Sequence, residues 1–268
     1  MSLAYMLEPG STVRGMFDFA DRIGIDGIDF CQFKIEETPA HELKRMCDDY
    51  GIAAVCHTVF NDVCAPGMTR SKWLDNAKRI IENAAVLDAG KVMFPTSGKV
   101  GVARTETRKL WQDVLADAME FGKGYGITVS IESYVVDVEW SPFVTSEDLL
   151  ATVQALPGLK VTFDSGNHFI VEDVVAAYRK LAPYIVHVHF KDWEIFNAPE
   201  EKSLLMSDGK YYRMVPLGQG KVDNAACLRT MLEDKAQLYF DLEYSGMKAA
   251  PQGIAESWAH LKEICLEN

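Results

Sequence analysis

The stretch from Ile185 to Asp192 alternates apolar and polar side chains. The imidazoles of His187 and His189 and the ammonium of Lys191 fall on every second residue. Side chains two residues apart in a β-strand point to the same side, so these three groups would face one polar site together. Imidazoles can bind metal ions or move protons, whereas a strand with one solvated face would show the same pattern. The residues at the ends of the other strands decide between these two interpretations.

Acidic or imidazole side chains also end other short apolar runs. Glu132, Asp164 and Glu243 each come last in such a run, and His57 ends another. One carboxylate at such a position can simply cap the following helix or face solvent. Several of them would converge on one mouth if the strands close into a barrel.

Three carboxylates and one imidazole brought together need a counter-charge, because ionised carboxylates in a pocket are costly unless they are paired. One divalent cation would supply it. The mixture of ligands favours Mn²⁺ or Mg²⁺, with Zn²⁺ or Co²⁺ as alternatives. Lys191 could instead neutralise one of the acids, which would give an ion-pair cluster without a metal. The residues alone leave both arrangements open.

Short apolar segments alternate with longer amphipathic ones along the chain. The predicted strands cover residues 3–7, 27–30, 52–57, 91–96, 127–132, 159–164, 185–192 and 237–243. The predicted helices cover residues 13–23, 39–50, 71–87, 105–125, 146–155, 171–181, 224–233 and 255–266. Gly24, Gly51 and Gly126 follow three of these helices, as is typical of helix C-termini. For the aromatic segment 192–221 we predict irregular structure.

This alternation over 268 residues predicts an α/β fold, a (β/α)8 TIM barrel that forms a single domain over residues 1–268. The alternative is a doubly wound sheet. However, no glycine-rich dinucleotide motif follows the first predicted strand, and no P-loop is present. In a TIM barrel the catalytic groups lie at the C-terminal ends of the strands, where these acids and histidines stand.

The composition argues against several classes of protein. The net charge of -12 at pH 7 opposes binding to nucleic acid, which needs a basic surface. No apolar run approaches the about 20 residues of a membrane span, and the N-terminus lacks the pattern of a secretory signal. The six cysteines form no CxxC pair, which favours reduced thiols and a cytoplasmic location.

The chain resembles the sugar isomerase and epimerase barrels of the xylose isomerase-like superfamily, and especially the ketose 3-epimerases. The resemblance is carried by Ile131-Glu132, Leu242-Glu243 and residues 163–167, 187–189 and 213–220. It implies a metal ion bound by Glu132, Asp164, His189 and Glu243. It also implies that Glu132 and Glu243 act as the acid and base on opposite faces of a bound sugar.

Four further residues are candidates for substrate contact. The family places an arginine where Arg213 stands, and His187 would lie beside the substrate rather than on the metal ion. Asn167 stands where many relatives have a histidine, and His168 follows it. His57 ends its predicted strand at the same mouth.

We therefore expect a metal-dependent isomerase or epimerase of a small sugar or sugar-derived ketone, working in carbohydrate metabolism. It would move a proton through a metal-stabilised enediolate. The alternatives are a dehydratase of an inosose-like keto-polyol, a zinc phosphodiesterase or endonuclease, and a barrel that binds a sugar without turnover. The chain departs from the epimerases after Glu132 and is longer between His189 and Arg213, so the sugar is not identified. A homo-oligomer and a phosphorylated substrate both stay open.

Overall fold

A computed structural model describes residues 5–6, 8–31, 38–136 and 138–267 of the chain. Its strands are β1 Gly27–Cys31, β2 Ala53–Thr58, β3 Lys91–Phe94, β4 Thr128–Ile131, β5 Lys160–Asp164, β6 Ile185–Phe190, β7 Asp192–Phe196, β8 Leu204–Leu205, β9 Tyr211–Val215 and β10 Phe240–Leu242. Its helices are α1 Val13–Ile23, α2 Ala40–Tyr50, α3 Arg70–Leu87, α4 Arg104–Lys123, α5 Ser146–Ala155, α6 Ser165–Val171, α7 Val174–Leu181, α8 Asn224–Glu233 and α9 Ala250–Leu266. Strands β1 to β6 and β10 lie parallel in chain order, as a nearly closed barrel with helices between the strands. The predicted TIM-barrel fold is confirmed.

Most barrel strands turn polar side chains inward and apolar side chains outward. On the inside, the hydroxyl oxygens of Ser130 on β4 and Thr162 on β5 lie 2.9 Å apart. On the outside, Phe94 and Phe163 pack against aromatic rings of α3 and α7. The helices therefore cover an apolar surface, while the interior of the barrel holds hydrogen-bonded polar groups.

Several helix ends follow local signals in the sequence. The hydroxyl of Thr12 accepts a hydrogen bond from a first-turn amide of α1, and Gly24 ends that helix at a φ of 74°. Helix α5 begins at Ser146, where its predicted range begins. Thr145 caps this helix through a reciprocal capping box with Asp148.

Two predicted elements differ from the structure. The predicted strand at 3–7 lies largely outside the described residues, and Tyr5 and Met6 within it are helical. The predicted helix at 171–181 begins at Val174 in the structure, as α7. A separate helix, α6, precedes it, and Asp164 accounts for this one, since its carboxylate caps a helix that begins directly after β5.

The segment after β6, predicted to be irregular, forms an antiparallel sheet in the order β7-β9-β8. The buried rings of Trp193 and Tyr212 meet edge to face, with centroids 6.1 Å apart. Asp192 fastens this sheet to the chain that follows it. Its carboxylate accepts hydrogen bonds of 2.9 or 3.0 Å from four backbone amides, three of them within residues 218–222.

We expect the substitution Asp192→Asn to lower the free energy of unfolding by about 2–3 kcal/mol. The fully buried carboxylate serves four amide donors, and an asparagine keeps only one acceptor oxygen and turns an amide donor toward the others. Urea unfolding followed by circular dichroism measures the change. Asp49→Asn, on the exposed surface of α2, is the matched control and should change it by less than about 0.5 kcal/mol. Equal stability of the two variants would contradict the role of Asp192.

Two expectations from the composition concern membranes and cysteines. Among the helices that the structure describes, none is long and apolar enough to cross a membrane. All six cysteines lie within the described ranges, and no disulfide joins them there.

Candidate active site

The C-terminal ends of four neighbouring strands bring the predicted acids and imidazole together. Asp164 at the end of β5 lies in register with His189 on β6. Glu132 directly follows β4. Glu243 directly follows β10, and its amide donates a hydrogen bond of 3.0 Å to the carbonyl of Phe190. Because β4, β5, β6 and β10 are consecutive in the sheet, the four side chains meet at the mouth of the barrel.

The four predicted metal ligands lie close together, but only three of them have potential ligand atoms that are all near one another. His189 Nδ1 lies 3.4 Å from Glu132 Oε2 and 3.6 Å from Glu243 Oε2. One potential ligand atom from each of Glu132, Asp164 and His189 lies within 4.8 Å of the other two. Glu243 borders this group of three and completes it on the side of β10.

A lysine ammonium lies among the carboxylates. Lys191 Nζ is 2.8 Å from Asp164 Oδ2 and 3.0 Å from Glu243 Oε1. The lysine is only 5% exposed, so solvent screens these ion pairs weakly. Lys191 thus contacts two acids where the sequence suggested one.

The enclosed charges shift several pKa values. Burial, aided by the neighbouring glutamates, raises the pKa of Asp164 to about 6 despite the Lys191 ammonium. Burial alone would raise the pKa of Glu243, but Lys191 and His189 outweigh it and lower that pKa. Burial alone would lower the pKa of His189, but the acids around its ring raise it well above the ordinary value. Glu243 is therefore ionised at neutral pH.

Three buried atoms of the cluster make no hydrogen bond among the described residues, namely Glu132 Oε2, Asp164 Oδ2 and His189 Nδ1. Asp164 Oδ2 has the ammonium of Lys191 at 2.8 Å, whereas Glu132 Oε2 and His189 Nδ1 face each other at 3.4 Å. A buried polar atom without a partner costs about 1–3 kcal/mol. A divalent cation beside Glu132 Oε2 and His189 Nδ1 would satisfy both atoms. Several carboxylate oxygens with one imidazole suit Mn²⁺, Mg²⁺ or Zn²⁺, so the residues present fit the predicted metal ion.

The floor of the cluster contains an acid that the strand-end pattern missed. Asp29, in the middle of β1 and 3% exposed, places Oδ2 3.2 Å from His187 Nε2 and 3.3 Å from His189 Nε2. The hydroxyl of Thr58 donates a hydrogen bond of 2.7 Å to the same oxygen. The sequence carried a signal for it, because residues 28–30 alternate apolar and polar side chains in the same way as β6.

Two of the predicted substrate contacts, His187 and Asn167, bind to the protein itself. His187 is fully buried below His189, with ring centroids 5.0 Å apart. The backbone amide of Asn167 donates to Asp164 Oδ1 at 2.8 Å, and its side chain donates to the carbonyl of Ser133 at 2.7 Å. Both residues therefore hold ligand-bearing segments in place.

The other two predicted substrate contacts lie away from the cluster. His57 stands on the outer side of β2, where its Nδ1 donates to the carbonyl of Phe30 at 2.8 Å. Arg213 on β9 pairs with Glu194 on β7 at 2.8 Å, and its guanidinium lies 4.6 Å from the centre of the Phe196 ring. The structure thus brings neither residue to the acids and His189.

Two of the cavities among the described residues are lined by predicted site residues, and they differ in volume and in lining. The larger, about 700 Å³, lies between β2, α2 and α3 and is lined by His57. The smaller, about 50 Å³, lies at the mouth of the barrel. Its walls are formed by Asp29, Cys31, Thr58, Phe60, Met93, Pro95, Glu132, His189, Asp241 and Glu243. We assign the active site to the smaller cavity, because perturbed ionisable groups converge there.

Solved structures share this fold at low sequence identity. The structure of L-ribulose 3-epimerase has a TM-score of 0.79 at 16% identity, over 98% of this chain and 93% of that one. The IOLI protein with a bound zinc atom has a TM-score of 0.79 at 15% identity, over 98% and 96%. The probable 3-DHS dehydratase AsbF of Bacillus anthracis has a TM-score of 0.75 at 17% identity, over 94% of each chain. At these identities the likeness establishes the fold.

The sequence itself identifies the family. No curated protein matches the chain. Residues 17–264, however, match the family model described as xylose isomerase-like TIM barrel. The matched range contains all seven strands of the barrel and each of the acids and histidines at its mouth. The chain belongs to the xylose isomerase-like TIM barrel family.

Proposed function

We propose that the protein is a divalent metal-dependent isomerase or epimerase of a small sugar or sugar-derived ketone. The observation that carries the proposal is the close cluster of Glu132, Asp164, His189 and Glu243 at the mouth of the barrel, with Asp164 and His189 buried. The shared fold with L-ribulose 3-epimerase supports this class of reaction. We further propose that it acts in the cytoplasm, in carbohydrate metabolism.

The cluster would hold one metal ion, with Mn²⁺ or Mg²⁺ as our first proposal and Zn²⁺ or Co²⁺ as alternatives. Glu132, Asp164 and His189 would form the core of the site, and Glu243 would complete it. A divalent cation bound there would polarise the substrate carbonyl as a Lewis acid. The zinc atom in the related IOLI structure supports metal binding in this fold.

Glu243 and Glu132 would move the proton. Glu243 has a lowered pKa and is ionised at neutral pH, so it can take a proton from the carbon beside the carbonyl. Glu132, which like Glu243 lies beside His189 Nδ1, would then return a proton to the opposite face of the substrate. The substrate keeps its composition, and exchange with solvent restores the two carboxyl groups to their starting states.

The site needs a wall against which a sugar can lie. Phe60, Met93 and Pro95 form the apolar part of the mouth, opposite the charged groups. Sugar rings expose apolar C–H surfaces beside their hydroxyls, so a mixed wall of this kind suits them. The identity of the sugar is the part of the proposal to be found by screening.

Dehydration is the second candidate reaction. The same proton abstraction can be followed by loss of a β-hydroxyl group as water, with one carboxyl group protonating the leaving oxygen. The shared fold with the probable 3-DHS dehydratase supports this alternative. Product analysis separates the two, because an isomer keeps the mass of the substrate and a dehydration product loses the mass of one water.

Metal analysis tests the proposal first. We expect the purified protein to retain one Mn²⁺ per chain after loading and desalting, and Glu132→Ala to bind it at least about tenfold more weakly. Glu139→Ala, an exposed acid of the same loop, is the matched control and should bind like the native protein. Elemental analysis and titration calorimetry give the readouts. A native protein that binds no divalent ion would remove the proposed mechanism.

A further inference from the structure

We propose that Asp29 is a positioning residue that fixes the ring of His189 with Nε2 on the floor of the site and Nδ1 toward Glu132. The positioning role of Asp29 rests on the proposed function. The contact between Asp29 and His189 is present without a metal ion. Asp29 is not one of the four predicted metal ligands, although one of its oxygens also lies within 4.8 Å of a nitrogen of His189 and an oxygen of Asp241. It acts one layer below, through the histidine.

The two nitrogens of the His189 ring have different neighbours. Nε2 lies 3.3 Å from Asp29 Oδ2, whereas Nδ1 lies 3.4 Å from Glu132 Oε2. A carboxylate can only accept a hydrogen bond, so the nitrogen that faces Asp29 carries a proton. A metal ion held beside Glu132 would then take the lone pair of Nδ1, the nitrogen that faces the mouth. That is the arrangement by which carboxylates orient metal-binding histidines.

Asp29 is itself held by three donors. The hydroxyl of Thr58 and the Nε2 atoms of His187 and His189 all approach Oδ2, at 2.7, 3.2 and 3.3 Å. Strand pairing fixes the first of them, since β1 and β2 are paired over residues 27–31 and 53–58. Burial of Asp29 at 3% exposure protects these hydrogen bonds from water.

His187 contacts both Asp29 and His189. Its ring stands edge to face with that of His189 and shares the acceptor oxygen of Asp29. It is fully buried, so it supports the carboxylate and the neighbouring ring from below. In this arrangement His187 is a second positioning residue rather than a group that touches the sugar.

Histidine NMR of the metal-free protein tests the inference directly. We expect a His189 Nε2–H signal that exchanges slowly with solvent, assigned by its loss in His189→Gln. The signal should disappear in Asp29→Ala and persist in Ser130→Ala. Ser130 is the matched control, because it is a buried polar residue of the same barrel interior that bonds to Thr162 and not to Asp29. A signal that survives in folded Asp29→Ala would overturn the inference.

Metal titration supplies the second readout. Asp29→Ala should weaken Mn²⁺ binding by about 10–100-fold, as is usual when the orienting partner of a ligand is removed. Thr58→Val keeps Asp29 but removes one of its donors, so it should weaken binding less; it also serves if Asp29→Ala does not fold. Unchanged Mn²⁺ affinity in both variants would overturn the role of Asp29. If the native protein binds no Mn²⁺, the proposed function fails, and the NMR signal still decides the orientation of His189.

Discussion

Replacing Glu243 with glutamine is expected to lower the rate of proton exchange on a ketose substrate by about 10²–10⁴-fold, with the fold intact. The ionised carboxylate of Glu243 is the group that can accept a proton, since Lys191 and His189 hold its pKa below the usual range. A glutamine has nearly the same shape but cannot take up a proton. Because the residue also borders the metal site, the comparison is made at saturating Mn²⁺.

Deuterium incorporation from heavy water, followed by NMR, measures this exchange without knowledge of the product. Glu263→Gln is the matched control, because Glu263 is an exposed glutamate near the end of α9 and is not among the residues that line the mouth. We expect this control to exchange at the native rate. Native exchange in Glu243→Gln on an identified substrate would exclude the carboxylate as the base.

Replacing Lys191 with methionine is expected to destabilise the metal-free protein by about 3–5 kcal/mol. The change keeps the length of the side chain but removes the ammonium that lies 2.8 Å from Asp164 and 3.0 Å from Glu243. The buried Asp164 and the partly buried Glu243 then lose their counter-charge while the carboxylate of Glu132 stays nearby. Breaking a buried ion pair on one side is costly for this reason.

Urea unfolding in the presence of a chelator, at about pH 8, measures the effect, since Asp164 with its pKa of about 6 is then ionised. We expect added Mn²⁺ to restore more stability to Lys191→Met than it adds to the native protein, because the ion replaces the missing positive charge. Lys109→Met, at an exposed position of α4, is the control. Equal stability of the two variants without metal would show that Lys191 is not the counter-ion of the cluster.

The sequence predicted most of the barrel because its signals are local. Apolar runs, glycines after helices and capping residues fix each strand or helix from a few neighbouring residues. The antiparallel sheet between β6 and α8 escaped prediction because β7 and β9 pair across some 20 residues of chain, so that no local pattern marks them. Helix α6 escaped because Asp164, identified as a ligand, also begins a helix.

The candidate site could be predicted where a side chain ends a strand or falls on the alternating polar face of β6. Glu132, Asp164 and Glu243 lie at such ends, and the structure brings them together with His189. His57 shows where a prediction from strand ends fails. Its predicted strand ended one residue early, and in the structure the following residue lines the mouth while His57 faces the helices. A shift of one residue moves every side chain of a strand to its other face. A single sequence does not determine which set of residues faces the mouth.

The alternation along β6 also constrains how this protein can change over evolutionary time. His187 and His189 face the interior while Val188 and Phe190 are buried against the outer core. Deleting or inserting one residue early in this strand would exchange the two sets, placing imidazoles under the helices and aromatic bulk in the mouth. New substrates are therefore accessible by substitution at inward positions and by loop changes after β6, whereas the length of the strand is fixed.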